Sequence, residues 1–212
     1  MANGRNRGEP VTTEIRIYVE GGGDKETKAD IRRGFDAFLS EVKDRARSRR
    51  FRWSVVACGP RGQALSDFRT ALRAHPKAAN LLLVDAEGPV SLSPKEHLAQ
   101  RDGWDMAGID DPQCHLMVQA MEAWLVADVE ALQEFYGQGF NSSAIPKTAN
   151  VEAIEKARLL TSLESATRST SKGAYHKTRH APKLLAMLDV SKVRAAPHCE
   201  RLLALLDSLL TA

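Results

Sequence analysis

Three acidic residues of this 212-residue chain stand where chemistry would want them. Glu20 is followed by Gly21-Gly22-Gly23-Asp24, Asp85 closes Leu81-Leu82-Leu83-Val84-Asp85, and Glu87 follows Asp85 by two. Three carboxylates brought together repel one another unless a hard divalent cation neutralises them. Oxygen-only ligation favours Mg²⁺ or Mn²⁺ over zinc. Such an ion polarises a phosphoryl group and positions water, with little other covalent machinery required. Two further acids are candidate metal ligands. Glu122 interrupts the otherwise apolar stretch 120–127, where an unpaired charge is costly; it either answers a core arginine or adds a fourth carboxylate. Asp24 is either an outer ligand or a turn residue whose charge suits the following helix dipole.

The elements that must position these acids follow from periodicity. Ile15, Ile17 and Val19 alternate with Arg16, Tyr18 and Glu20, which predicts a strand with one buried face. The glycines end it, and Thr27 to Asp30 reads as a capping box opening an amphipathic helix over 27–47. The glycine turn has neither Walker A nor dinucleotide-fingerprint spacing. Phe51 to Cys58 predicts a second strand, and Leu65, Phe68 and Leu72 a second helix. The unbroken apolar run 81–84 reads as a central parallel strand. Alternating strands and helices imply an α/β fold, a right-handed parallel sheet flanked by helices. Ligands bind at the carboxyl ends of such strands, where Glu20 and Asp85 fall.

Residues 86–111 lose periodicity and read as a long loop, functional or mobile. Cys114 to Gln119 resumes as a strand, 120–127 as an apolar helix, and Asp128 as the N-cap of a helix through Tyr136. Residues 137–148 are turn-rich, and the remainder reads as a helical carboxyl-terminal extension. Pro182 and Pro197 are placed in first helical turns. Leu202, Leu203, Leu206, Leu209 and Leu210 form one stripe, predicting that 137–212 packs on an α/β domain over 14–136. Residues 1–13 read as a disordered tail.

Net charge is +3, unevenly spread. Residues 1–60 carry 13 Lys/Arg against 9 Asp/Glu, residues 61–130 carry 6 against 11, and residues 131–212 carry 11 against 7. An acidic middle between basic flanks suits a cation site with polyanion-binding surroundings, and equally an ordinary solvated surface. Arg45, Arg47, Arg49, Arg50 and Arg52 could track phosphates or complement a helix end. Lys172, Tyr175, His176, Lys177, Arg179 and His180 pack cations around one aromatic, a candidate nucleic-acid contact or a solvated loop. Zinc at His176 and His180 is disfavoured, because no closely spaced Cys pair exists and Pro182 argues against helix at 176–180. Cys58, Cys114 and Cys199 read as reduced thiols. With no signal-peptide core and no apolar run of about 20 residues, a cytoplasmic protein without membrane contact is expected.

Val19-Glu20-Gly21-Gly22-Gly23-Asp24 and Asp85-Ala86-Glu87-Gly88 together resemble the Toprim superfamily, whose strand-end glutamate is followed by a D-x-D metal motif. Position 87 departs from the pattern, with glutamate for aspartate and hence a longer arm. The resemblance covers about 14–136. It implies a Toprim-like fold using Mg²⁺ to cut or join phosphodiesters, with Glu20 as general acid or base and Asp85 and Glu87 holding metal. Gln119-Ala120-Met121-Glu122-Ala123-Trp124 and Tyr175-His176-Lys177-Thr178-Arg179-His180 resemble a small bacterial branch related to OLD-type and RloB-like nucleases. Its members are often encoded beside an ATPase, which extends the expectation to a separate ATPase partner and phage defence. The expected function is a metal-dependent nuclease acting on DNA or RNA. The alternatives are a phosphohydrolase of small phosphate esters, or a non-catalytic subunit binding an ATPase and nucleic acid.

Overall fold

Alternation along the strands deals their side chains into two cores. In the computed structural model, which describes residues 12–211, Ile15, Ile17 and Val19 of β1 (Glu14–Glu20) enter one core and Tyr18 the other. β2 (Arg52–Gly59), β3 (Ala79–Asp85) and β4 (Cys114–Met117) complete a four-stranded sheet of order β2-β1-β3-β4. All pairs are parallel, with helices on both faces, as the patterning predicts. The tail expected over 1–13 lies, but for residues 12 and 13, outside the described residues.

β1 leads through the glycine turn into α1 (Lys25–Phe38). Gly22 adopts φ +81°, and a Cβ there would lie 2.7 Å from the Lys28 backbone nitrogen, so only glycine lets the turn close on the helix. The capping box begins three residues earlier than the sequence suggests. Asp24 is the N-cap: its carboxylate accepts the Thr27 N–H at 2.8 Å, while Thr27 Oγ1 accepts the Asp24 N–H at 3.1 Å. The helix expected over 27–47 also breaks, at Leu39, giving α2 (Ser40–Ser48). Arg45 pairs with Asp207, Arg49 donates to the Leu210 carbonyl and Arg52 pairs with Glu14. Arg45 and Arg49 therefore tie α2 to residues 207–210 and Arg52 ties β2 to β1, while Arg47 and Arg50 are exposed with no ion pair or hydrogen bond from their side chains among the described residues.

α3 (Arg61–Ala74) crosses to β3. The stretch 86–111 is not one loop, since it holds α4 (Pro94–Asp102), opened by a Ser93/Glu96 capping box with proline at its first position and closed by Gly103 in the left-handed region. After β4 come α5 (Glu122–Ala127) and α6 (Val129–Tyr136), the latter capped by Asp128 as expected. α7 (Lys156–Thr167), α8 (Lys177–Leu185), α9 (Val190–Val193) and α10 (Pro197–Thr211) form the carboxyl-terminal part. Pro197 opens α10 as predicted, whereas Pro182 lies inside α8. The helix bond it forgoes would have gone to the Thr178 carbonyl, only one residue inside the helix start.

One core cluster runs from Ile15 and Leu83 in the sheet through Trp124 to Leu184, Leu202, Leu206 and Leu210. The leucine stripe is therefore docked, and each such leucine contributes about 1.5–3 kcal/mol by leaving water. α8 meets α1 at Gly34, where a Cβ would lie 2.6 Å from the Pro182 carbonyl oxygen. The three cysteines are free and buried. No helix among the described residues is long and apolar enough to cross a membrane.

Candidate functional site

Glu20 and Asp85 end the adjacent strands β1 and β3, so the sheet itself brings them together. Both line a cavity of about 230 Å³ at the carboxyl edge, between the glycine turn, Met117, Met121 and the first residues of α8. Glu20 Oε2 accepts from Arg61 at 3.1 Å and from the Asp85 N–H at 3.4 Å. Burial and the neighbouring Asp85 raise the Glu20 pKa, against the pull of Arg61. Arg61 is itself fixed, donating to Asp102 at 2.7 and 3.1 Å and to the Asp85 carbonyl, with its guanidinium over the Trp104 ring.

Asp85 is 4 % exposed. Its Oδ1 accepts the Met121 N–H at 2.8 Å and its Oδ2 accepts from Lys177 Nζ at 3.1 Å. The same ammonium lies 3.8 Å from Glu122 Oε1, which also accepts from the Tyr175 hydroxyl at 3.0 Å. Glu122 is 0 % exposed, and its Oε2 has no hydrogen-bond partner among the described residues. Glu122 thus has a cation partner, a lysine and not the arginine considered, and that lysine also pairs with Asp85. Burial alone would lower the Lys177 pKa, but Asp85 and Glu122 outweigh it and raise it.

Glu87 departs from the expected triad. It takes a left-handed backbone, φ +66°, and does not line the cavity. Its carboxylate pairs with Lys156 at 2.5 Å and reaches Arg101 at 3.9 Å. Burial would raise its pKa, but Lys156 and then Arg101 hold it below the usual value. Asp24 is an exposed helix cap committed to Thr27. Among the described residues no three His, Cys, Asp or Glu side chains are arranged to hold a metal as they stand. Each member of the expected triad is answered by a cation: Glu20 by Arg61, Asp85 by Lys177, Glu87 by Lys156.

The 172–180 segment is not one outward-facing basic surface. Tyr175 is only 7 % exposed, because its ring packs in the core and its hydroxyl serves Glu122. Lys172 lies over the Phe135 ring, and His180 Nδ1 is 2.9 Å from the Tyr136 hydroxyl. His176 and Arg179 are exposed; Thr178 Oγ1 is 3.1 Å from His176 Nδ1, and Arg179 has no ion pair among the described residues. Residues 177–180 are helical despite Pro182.

Sequence reasoning missed Arg61, Asp102 and Lys156. Arg61 stood in view, directly after the Gly59-Pro60 turn that ends a strand, but its carboxylate partner Asp102 sits on the helix read as loop.

The donor set nevertheless suits a hard cation. Glu20, Asp85 and Glu122 offer only oxygens, a positive charge already stands between two of them, and one buried oxygen lacks a partner. No curated protein and no solved structure matches the chain. A family model described as "Domain of unknown function (DUF4276)" matches residues 19–207, and the chain belongs to that family.

Proposed function

We propose that this chain is a divalent-metal-dependent phosphodiester hydrolase acting on nucleic acid, with Asp85, Glu122 and Glu20 as the residues that would hold Mg²⁺ or Mn²⁺. The observation that carries the reading is Glu122 Oε2, a buried carboxylate oxygen without a partner beside Asp85 at the ligand-binding edge of a parallel sheet. A bound ion would supply Lewis acidity toward a phosphoryl oxygen. The chain's own contributions can be named separately. Arg61 and the Asp85 N–H orient Glu20, whose carboxylate lines the cavity. Met121 N–H fixes one oxygen of Asp85, leaving the other toward Lys177 and the cavity. The resemblance to Toprim proteins supports the same class, with Glu122 taking the part that Glu87 would have there.

A second reading is favoured by one observation: each carboxylate of the expected triad already has a cation of its own. On that reading the fold serves as a non-catalytic subunit that binds an ATPase and nucleic acid. Calorimetric titration with Mn²⁺, followed by incubation with labelled DNA, RNA and nucleotides, separates the readings. Binding with polymer cleavage supports the nuclease, and cleavage of nucleotides alone supports a small-ester phosphohydrolase. Absence of Mn²⁺ binding by the full chain refutes the metal-dependent reading.

A further inference from the structure

Among the described residues, Lys177 is the one cation that lies within 4 Å of the carboxylates of both Asp85 and Glu122. We propose that Lys177 is the chain's own occupant of the cation position between these carboxylates, exchanged for a divalent ion when one binds. The inference rests on the metal-site reading above and adds how that site is kept when no metal is present.

Four features of the geometry point to an exchangeable cation and not a permanent one. The hold is uneven: 3.1 Å to Asp85 is a charge-assisted hydrogen bond, whereas 3.8 Å to Glu122 is an ion pair without one. It is also incomplete, since one ammonium charge faces two buried carboxylates and Glu122 Oε2 remains without a partner. A divalent ion matches both charges and takes six or more oxygens, so it satisfies what the ammonium leaves over.

The third feature is the way out. The Lys177 side chain is 49 % exposed, unlike those of Asp85 and Glu122, and it belongs to the first residue of α8. Ala181, Pro182, Leu184 and Leu185 hold that helix in the core, and Pro182 packs against Gly34. The ammonium can therefore swing to solvent on its flexible stem while the helix stays docked. The fourth is the contrast with Arg61, which two carboxylates, a backbone carbonyl and a Trp104 ring fix from several sides. At one sheet edge the chain thus has a fixed cation on Glu20 and a displaceable one on Asp85 and Glu122.

The test is Mn²⁺ titration calorimetry on the full chain, comparing the natural protein with Lys177→Met, which keeps the stem and removes the charge. Removing a competing positive charge at this range should tighten Mn²⁺ binding at least ~10-fold. The variant should also melt lower than the natural protein without metal and gain more from added Mn²⁺. Should Lys177→Met fail to fold, Lys177→Gln carries the same expectation with a side chain that can still hydrogen-bond Asp85. Natural protein that binds Mn²⁺, with variants that bind no tighter, overturns the exchange while leaving the metal site standing. If neither the natural protein nor a folded variant binds Mn²⁺, the exchange and the proposed function fall together.

Discussion

Replacing Tyr175 by phenylalanine isolates one bond at the heart of the site. The ring, 7 % exposed, keeps its packing in the core, so no cavity forms and the transfer energy is nearly unchanged. What is lost is the hydroxyl that donates to Glu122 Oε1 at 3.0 Å. That carboxylate is 0 % exposed, its other oxygen has no partner, and Lys177 stands 3.8 Å away. A hydrogen bond to a charged group is worth about 1.5–3 kcal/mol, and a buried group left unpaired forfeits the upper part of that range. For a chain of this length a loss of about 2 kcal/mol lowers Tm by roughly 4–8 °C. The assay is calorimetric melting with parallel urea unfolding, extended to Glu122→Gln and the double variant. The cycle should return a coupling of about 1 kcal/mol or more. A Tm within about 1 °C of the natural protein, or additive single and double variants, would show that the hydroxyl does not hold Glu122.

Four further outcomes are expected. Gly34→Ala should destabilise strongly, because its Cβ would meet the Pro182 carbonyl at 2.6 Å and α1 must part from α8; denaturant unfolding checks this, and a change below about 0.5 kcal/mol refutes it. Leu206→Ala should cost about 2–5 kcal/mol as a fully buried leucine of the joint core, and a chain ending at Tyr136 should not reach the stability of the whole. Glu87 has a lowered folded pKa, so its contribution is present above the unfolded value of 4.5 and lost as pH falls through the folded value. Lys156→Met should move Glu87 back up and remove that acid-side loss, read by carboxyl NMR titration. Glu20 has the opposite sign: its pKa is raised, so its contribution is present below 4.5 and lost as pH rises through the folded value, and Asp85→Asn should bring the Glu20 titration down.

Strand signals place Glu20 and Asp85 on one sheet edge, because the alternation of 15–20 and the unbroken apolar run 81–84 each mark a strand and parallel order fixes which ends align. Glu122 was legible as an anomaly, a charge in an apolar helix, but its partner was not. Tyr175 and Lys177 reach it from 53 and 55 or so residues away along the chain. Nothing local marks such an encounter. Glu87 was misplaced for a different reason. A spacing of two from Asp85 puts both on one face only while the strand continues, and the chain leaves the strand at Asp85 for a left-handed turn. α4 went unread although Ser93, Pro94, Glu96 and Gly103 spell its start and stop. Its apolar face is little more than His97 and Leu98, so periodicity was silent where capping was not.

That the core passes from β1 to α10 without a break bears on when the protein becomes itself during synthesis. Asp85 and Lys177 are 92 residues apart. At ~5–20 residues per second, the ribosome takes roughly 5–18 s to make the lysine after the aspartate. Throughout that interval the sheet edge carries its buried acids without the cation that balances them, and the sheet face lacks the helices that cover it. A nascent chain in this state has reason to remain open or chaperone-bound. The cavity then closes as a late event, with the tyrosine and the lysine arriving together on one short segment.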